Sequence, residues 1–283
     1  IDRPLIPAEE IYVHDIRYTG MSADAKLGKV RKVMRELKCD YYLVSSLDDI
    51  AWVFNIRGND VPYVPVSISY ALVSNDEAVI FIDSRKVTPE ARRVLHKNNI
   101  KIMDYDSIEE NLINLDREKS IGFDPKRTSC CLYNSINPEC RKIEQDEIIT
   151  RLKSVKNDIE LANFKNCQIA DGIAMVRFMI WLENSIGKNK ISEVDISKKL
   201  EYLRGQQKEN IGPGFATIAG YRDHGALMHY CATKDSMYYL ENKGMMVLDS
   251  GGQYLNGTTD ITRTMVFDDI SDEEMYDYTM VLK

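Results

Sequence analysis

The chain has 283 residues, of which 44% are hydrophobic and 29% are charged, a composition typical of folded globular proteins. Its formal net charge of −7 argues against a general nucleic-acid-binding protein, whose binding surface is basic. No apolar run in the sequence has the length of a membrane span, and the N-terminus lacks the pattern of a signal peptide. The six cysteines show no zinc-site spacing, which favours reduced thiols and a cytoplasmic protein.

Residues 1–150 show an alternating helix and strand pattern. Ser22 precedes apolar positions at helical spacing and is predicted to cap a helix. The runs at 41–46 and 47–54 predict a buried strand and a short helix, and Asn75-Asp76 between two apolar runs predicts a hairpin. Thr88 followed by Pro89 predicts the start of another helix. We therefore expect one α/β domain with a parallel or mixed sheet.

Residues 151–283 change from helices to strands. Asn157 and Glu160 resemble a capping box, and a long helix is expected to run from there to about residue 184. Its apolar stripe is predicted to comprise Ile159, Ala162, Ile169, Ile173, Val176 and Ile180. A second helix, capped by Ser192, precedes four short strand-like runs. This order predicts an α+β domain.

Two aspartates flank a glycine-rich reversal near the end of the chain. Asp249 ends the apolar run MMVLD, and Asp260 begins the alternating run DITRTMV, eleven residues later. Antiparallel pairing of these runs would bring the two carboxylates together. Because two buried carboxylates repel each other, a divalent cation between them would remove the conflict. An aspartate at a hairpin is more commonly a turn residue or a surface charge, so the geometry alone does not decide for metal.

The complete string LDSGGQYLNGTTDITRT, residues 248–264, resembles the metal-binding hairpin of the Xaa-Pro aminopeptidases (aminopeptidase P). These enzymes belong to the creatinase/prolidase superfamily, whose catalytic domain has the pita-bread fold. The runs at 47–73, 153–183 and 212–230 also resemble this family, so the likeness covers nearly the whole chain. It implies a creatinase-like α/β N-terminal domain, residues 1–150, followed by the first half of an α+β pita-bread catalytic domain, residues 151–283.

The resemblance also implies an activity and a set of site residues. It makes Asp249 and Asp260 ligands of two divalent metal ions, with Mn as the usual family metal and Zn or Co as alternatives. It makes His229 a catalytic residue that binds the substrate near the scissile peptide bond. The implied reaction releases the N-terminal residue from proline-containing peptides in which proline is the second residue.

The family uses five protein ligands, of which only two aspartates can be placed in this sequence, and no histidine follows His229. We therefore expect the chain to be a fragment that is inactive alone, completed by a companion C-terminal fragment of the same protein. A homodimer is expected for the full-length form.

Alternative functions and the roles of several side chains remain open at this stage. The nearer alternative is an Xaa-Pro dipeptidase or a creatinase-like hydrolase, and a more distant one is a non-catalytic pita-bread module that binds peptides or proteins. For Arg57, the two interpretations are contact with a peptide terminus and a structural ion pair with Asp60, and the second is preferred. His224 is assigned only a loop role, whereas His14 and His96 are interpreted as structural.

Overall fold

A computed structural model describes residues 4–283. These residues form two compact units, the first extending to Leu161 and the second beginning at Ala162. Each unit has its own hydrophobic core, and the two are described separately. No helix among residues 4–283 combines the length and apolar character needed to cross a membrane.

The first unit is built on a six-stranded mixed sheet. The strands of this unit are β1 (Tyr12–Val13), β2 (Tyr41–Val44), β3 (Ile56–Arg57), β4 (Tyr70–Ser74), β5 (Ala78–Phe81), β6 (Ile100–Met103), β7 (Ser120–Phe123) and β8 (Arg141–Glu144). Its helices are α1 (Ile16–Thr19), α2 (Ala23–Glu36), α3 (Leu47–Phe54), α4 (Pro89–Lys97), α5 (Ile108–Ile113), α6 (Cys130–Ser135) and α7 (Ile148–Ser154). The large sheet has the order β6-β5-β4-β2-β7-β8, and β1 pairs with β3. Parallel and antiparallel pairs both occur, so the predicted α/β fold with a mixed sheet is confirmed.

Local sequence signals explain several of these elements. The Ser22 hydroxyl accepts a hydrogen bond from the Ala25 amide, 3.2 Å away, and caps α2. Thr88 caps α4 in the same way through the Ala91 amide. The predicted hairpin joins β4 to β5, which pair in antiparallel fashion. Each cap satisfies a backbone donor that the first helical turn leaves without a partner.

The sheet of the first unit is covered on both faces. Alternate residues of β2 belong to different core clusters, with Tyr42 and Val44 in one and Leu43 in the other. Helices α2, α3 and α4 contribute to the first cluster, whereas α5 and α6 contribute to the second. A strand buried on both faces requires a continuous apolar run, as residues 41–44 provide.

The preferred ion pair between Arg57 and Asp60 is wrong. Asp60 instead pairs with the buried Lys86 at 2.8 Å. The Arg57 guanidinium donates to the carbonyl oxygens of Ala51 and Ile56, at 2.9 and 2.8 Å. Burial lowers the pKa of Arg57 to about 10. The Arg57 side chain therefore stabilises the backbone around the end of α3 in this unit.

The second unit is an α+β arrangement, as predicted. Helix α8 (Asp158–Ser185) begins in the first unit and continues into the second. The following elements are α9 (Glu193–Gly205), β9 (Asn210–Pro213), β10 (Ile218–Tyr221), β11 (Met245–Ser250), β12 (Gly252–Tyr254), β13 (Gly257–Thr258), β14 (Ile261–Val266) and α10 (Asp272–Leu282). The strands form two antiparallel three-stranded sheets, β10-β11-β14 and β13-β12-β9.

Helix α8 begins as predicted but buries a different face. The Asn157 amide donates to the Glu160 carboxylate, and the Glu160 amide donates to the Asn157 side chain, which completes the capping box. The second core contains Ala174, Met175, Phe178 and Leu182 from this helix. The predicted stripe is exposed instead, for example 63% at Ile169 and 56% at Val176. Apolar residues occur on both faces, so their spacing did not identify the buried one.

Candidate functional site

Strand pairing places both aspartates on one face of a long antiparallel hairpin. Asp249 lies opposite Thr262 in the register of β11 and β14, and Asp260 precedes β14. Directly opposed residues share a face, and so do residues two apart along a strand. Asp260 is therefore a diagonal neighbour of Asp249 on the same face.

The hairpin bends between these strands into the second small sheet. Tyr254 pairs with Gly257, so the two turn residues are Leu255 and Asn256. At the bend, the Gly252 amide donates to the Thr259 hydroxyl at 2.9 Å. A Cβ atom on Gly251 would lie 2.1 Å from the carbonyl oxygen of Thr259, which is closer than any real contact allows. Glycine at this position lets the two backbones approach between the aspartates.

The environment of the two carboxylates suits a cation. Asp249 is partly buried, and its Oδ1 atom is buried without a hydrogen-bond partner within residues 4–283. Asp260 is exposed. A buried carboxylate oxygen without a donor is costly, and metal coordination would satisfy it. The two aspartates thus fit the role of metal ligands. They form only part of a ligand set, because residues 4–283 contain no group of three or more His, Cys, Asp or Glu side chains that could hold an ion.

His229 lies on an exposed turn after β10 and before β11. Its backbone φ of 56° is in the left-handed region, which is uncommon for a residue with a side chain. Within the described part of the chain, its imidazole forms no hydrogen bond, and it does not join Asp249 and Asp260 in a metal-binding group. Its ring is therefore accessible to a ligand.

A buried ion pair stabilises the turn of the hairpin. The Arg204 guanidinium donates to both oxygens of Asp171, at 2.7 and 3.0 Å, and both side chains are almost completely buried. The Tyr254 hydroxyl donates to the same carboxylate at 2.8 Å, and burial together with this bond raises the Tyr254 pKa well above its ordinary value. This network ties the turn between the aspartates to α8 and α9.

Sequence reasoning missed a second buried network and assigned His224 only a loop role. His224 is buried, and its Nδ1 atom lies 3.0 Å from the carboxylate of the fully buried Glu193. Nothing in the sequence marked Glu193 for burial. An acid in the first turn of a helix commonly faces solvent and interacts with the helix dipole.

Comparison with family models divides the chain much as its two compact units do. Residues 2–160 match the Creatinase/Prolidase N-terminal domain, and residues 162–283 match Metallopeptidase family M24. Three solved or curated proteins illustrate the likeness. An uncharacterized peptidase of Schizosaccharomyces pombe is 38% identical over 99% of this chain and 46% of its own length. A probable Xaa-Pro aminopeptidase P of Aspergillus niger is 37% identical over 100% of this chain and 47% of its own length.

A solved structure agrees with these sequence matches. The X-prolyl aminopeptidase of Caenorhabditis elegans, described as a cytosolic enzyme with a di-nuclear active site, superimposes with a TM-score of 0.95 at 30% identity. That match covers 99% of this chain and 47% of the nematode protein. The chain spans about half the length of the curated relatives that it matches. With one family domain in each unit and the fold of this neighbour, the chain belongs to the creatinase/prolidase family of metallopeptidases.

Proposed function

We propose that the protein containing this chain is a metal-dependent aminopeptidase that releases the N-terminal residue from peptides with proline in the second position. The observation that carries the proposal is the pair of aspartates, Asp249 and Asp260, on one face of the hairpin, with a buried Asp249 oxygen lacking a partner. Relatives named Xaa-Pro aminopeptidase P and an X-prolyl aminopeptidase with a di-nuclear site support the substrate class.

In this proposal each side chain has a distinct role. Asp249 and Asp260 hold two divalent ions, with Mn first among Mn, Zn and Co. Such ions supply an activated water and polarise the scissile carbonyl. The exposed imidazole of His229 binds the substrate beside the scissile bond and donates a hydrogen bond to oxygen as negative charge develops there. Further ligands come from protein outside residues 4–283.

Three properties of the complete protein belong to the same proposal. A C-terminal segment or companion fragment completes the ligand set, since the relatives are about twice as long as this chain. The complete protein is a homodimer, which sedimentation analysis of that protein would test. It acts in the cytosol, as the nematode neighbour is described to do.

The deciding experiment measures Mn-dependent release of the N-terminal residue by the complete protein. An Xaa-Pro-Pro tripeptide is compared with Xaa-Ala-Ala and with the dipeptide Xaa-Pro. We expect release from the first substrate only. Preference for the dipeptide would indicate a dipeptidase, and cleavage of none of the three by metal-loaded protein would refute the proposal.

The ligand assignment is tested separately by metal content. Asp249→Asn and Asp260→Asn should each reduce the Mn bound per chain, measured by mass spectrometry, and reduce proline-dependent release. An amide is a poorer ligand than a carboxylate because it carries no charge. Asp269→Asn is the control, since Asp269 is exposed beyond β14. Full metal content in both hairpin variants would rule out these aspartates as ligands.

A further inference from the structure

The carboxylate of Glu193 accepts hydrogen bonds from both ends of the long connection between β10 and β11. This residue lies in the first turn of α9 and has 0% exposure. It accepts from the Tyr221 amide at 2.8 Å, where β10 ends, and from the Tyr238 amide at 2.9 Å. A buried carboxylate without donors is strongly destabilising. The donors of this connection therefore stabilise Glu193 and are themselves fixed by it.

Two side chains of the same connection complete the set. The Nδ1 atom of His224 lies 3.0 and 3.1 Å from the two oxygens of Glu193, and the Tyr230 hydroxyl donates at 2.9 Å. Since a carboxylate only accepts, His224 must carry its proton on Nδ1 to form this bond. The His224 ring stacks on that of Tyr238, with centroids 3.7 Å apart and an interplanar angle of 11°. Hydrogen bonding and stacking thus act on the same ring.

These contacts bracket His229. His224 precedes it by five residues and Tyr230 follows it directly, while residues 227–230 form neither helix nor strand. The left-handed backbone at His229 would be poorly maintained by a free loop. Glu193 fixes the chain on both sides of this residue and leaves its imidazole exposed.

Helix capping does not explain why the Glu193 carboxylate is buried. The start of α9 already has a complete capping box, in which Ser192 and Asp195 exchange hydrogen bonds. The Glu193 carboxylate is directed instead toward residues 221–238. Its burial therefore serves the connection that carries His229.

We propose that Glu193, acting through His224 and Tyr230, is a positioning residue that sets the location of His229 for peptide cleavage. This inference rests on the proposed function, in which His229 contacts the substrate. Glu193 itself does not touch the substrate. Its role is analogous to that of the groups that hydrogen-bond to metal ligands, whose loss typically costs about 10- to 100-fold in metal affinity or activity.

The test compares the complete Mn-loaded protein with its Glu193→Gln variant. Glutamine keeps the shape but replaces one accepting oxygen with a donor, so the surrounding donors lose a partner. We expect at least about a tenfold fall in kcat on Xaa-Pro-Pro with little change in KM. Amide hydrogen exchange over residues 226–236 should become faster, whereas bound Mn should remain unchanged because Asp249 and Asp260 lie on other elements.

Two further variants make the result decisive. Glu201→Gln alters an exposed residue of the same helix and should behave as wild type. Tyr230→Phe removes one donor while keeping the ring, and it replaces Glu193→Gln if that variant fails to fold. Wild-type kcat or unchanged exchange in the folded variant overturns the positioning role, as does loss of Mn. An inactive wild-type protein instead refutes the proposed function, and the exchange comparison still decides whether Glu193 fixes this segment.

Discussion

Individual buried carboxylates in this molecule differ in how they are neutralised. Asp60 pairs with Lys86, and Asp49 lies 2.6 Å from the ammonium of Lys153. Asp249 forms no ion pair with any residue in the range 4–283, and one of its oxygens is buried without a donor. A buried carboxylate oxygen in a residue that has no cationic partner supports an external cation at Asp249.

Glu147 provides a pH-dependent prediction. The pKa of its carboxyl is raised from 4.5 to about 7, chiefly by burial and also by nearby Asp49 and Asp124, while the hydrogen bond from Tyr42 opposes the shift. The folded state therefore holds a proton that the unfolded state has released between about pH 4.5 and pH 7. The free energy of unfolding should fall across this window by at most about 3 kcal/mol as the pH rises.

Glu147→Gln should remove this contribution, because the amide does not titrate and still accepts the Tyr42 hydrogen bond. This contribution would be measured by urea unfolding at pH 4.5, 6 and 8, with Trp52 fluorescence in a Trp181→Phe background as the readout. The free energy of unfolding of the variant, minus that of wild type, should increase as the pH rises. Glu144→Gln, at an exposed site on β8, is the control. A constant difference between wild type and Glu147→Gln across these pH values would contradict the prediction.

At the scale of elements, the bend in the aspartate hairpin depends on Gly251. An added methyl group would collide with the Thr259 backbone and approach the Phe215 ring to 2.8 Å. Gly251→Ala should therefore separate the strands next to Asp249 and Asp260, and reduce bound Mn in the complete protein. Metal content by mass spectrometry is the measurement.

Gly172→Ala is the matched control for that substitution. A Cβ atom on Gly172 meets nothing within 4 Å, and alanine in the interior of α8 should stabilise the helix by up to about 1 kcal/mol. Its Mn content should equal that of wild type. Normal metal binding by Gly251→Ala would show that close backbone approach is dispensable for the site.

Elements with a local signal were predictable from the sequence, and long-range partners were not. Helix α3 was placed at residues 47–54, and the Asn75-Asp76 reversal was placed between the correct strands. Each depends on nearby residues only. The face that α8 buries depends on distant strands, and apolar residues on both faces left it undetermined.

The same limit applies to the candidate site. The alternation along β11 and β14 predicted a shared face for the two aspartates, because the alternation of side chains along a strand is a local property. Burial of Asp171 and Glu193 was not predictable. A charged residue is usually exposed, and each of these is stabilised by donors more than twenty residues away. For the same reason, the sequence did not predict that His224 is buried against Glu193.

At the scale of the whole molecule, the two units are expected to unfold as separate transitions. The buried members of the two core clusters of the first unit lie within residues 11–149, and those of the core of the second unit lie within residues 174–267. Trp52 packs against a core cluster of the first unit, and Trp181 packs against that of the second. Each tryptophan should therefore report its own unit, when the other is replaced by phenylalanine.

Phe178→Ala tests this independence. Phe178 is fully buried in the second core, so truncation should cost about 3–5 kcal/mol in that unit. The urea midpoint reported by Trp181 should fall, while that reported by Trp52 stays near its wild-type value. Phe54→Ala, in the first core, should have the reciprocal effect. Equal shifts of both reporters in either variant would mean that the units unfold in one cooperative transition, with stability shared across the boundary between Leu161 and Ala162.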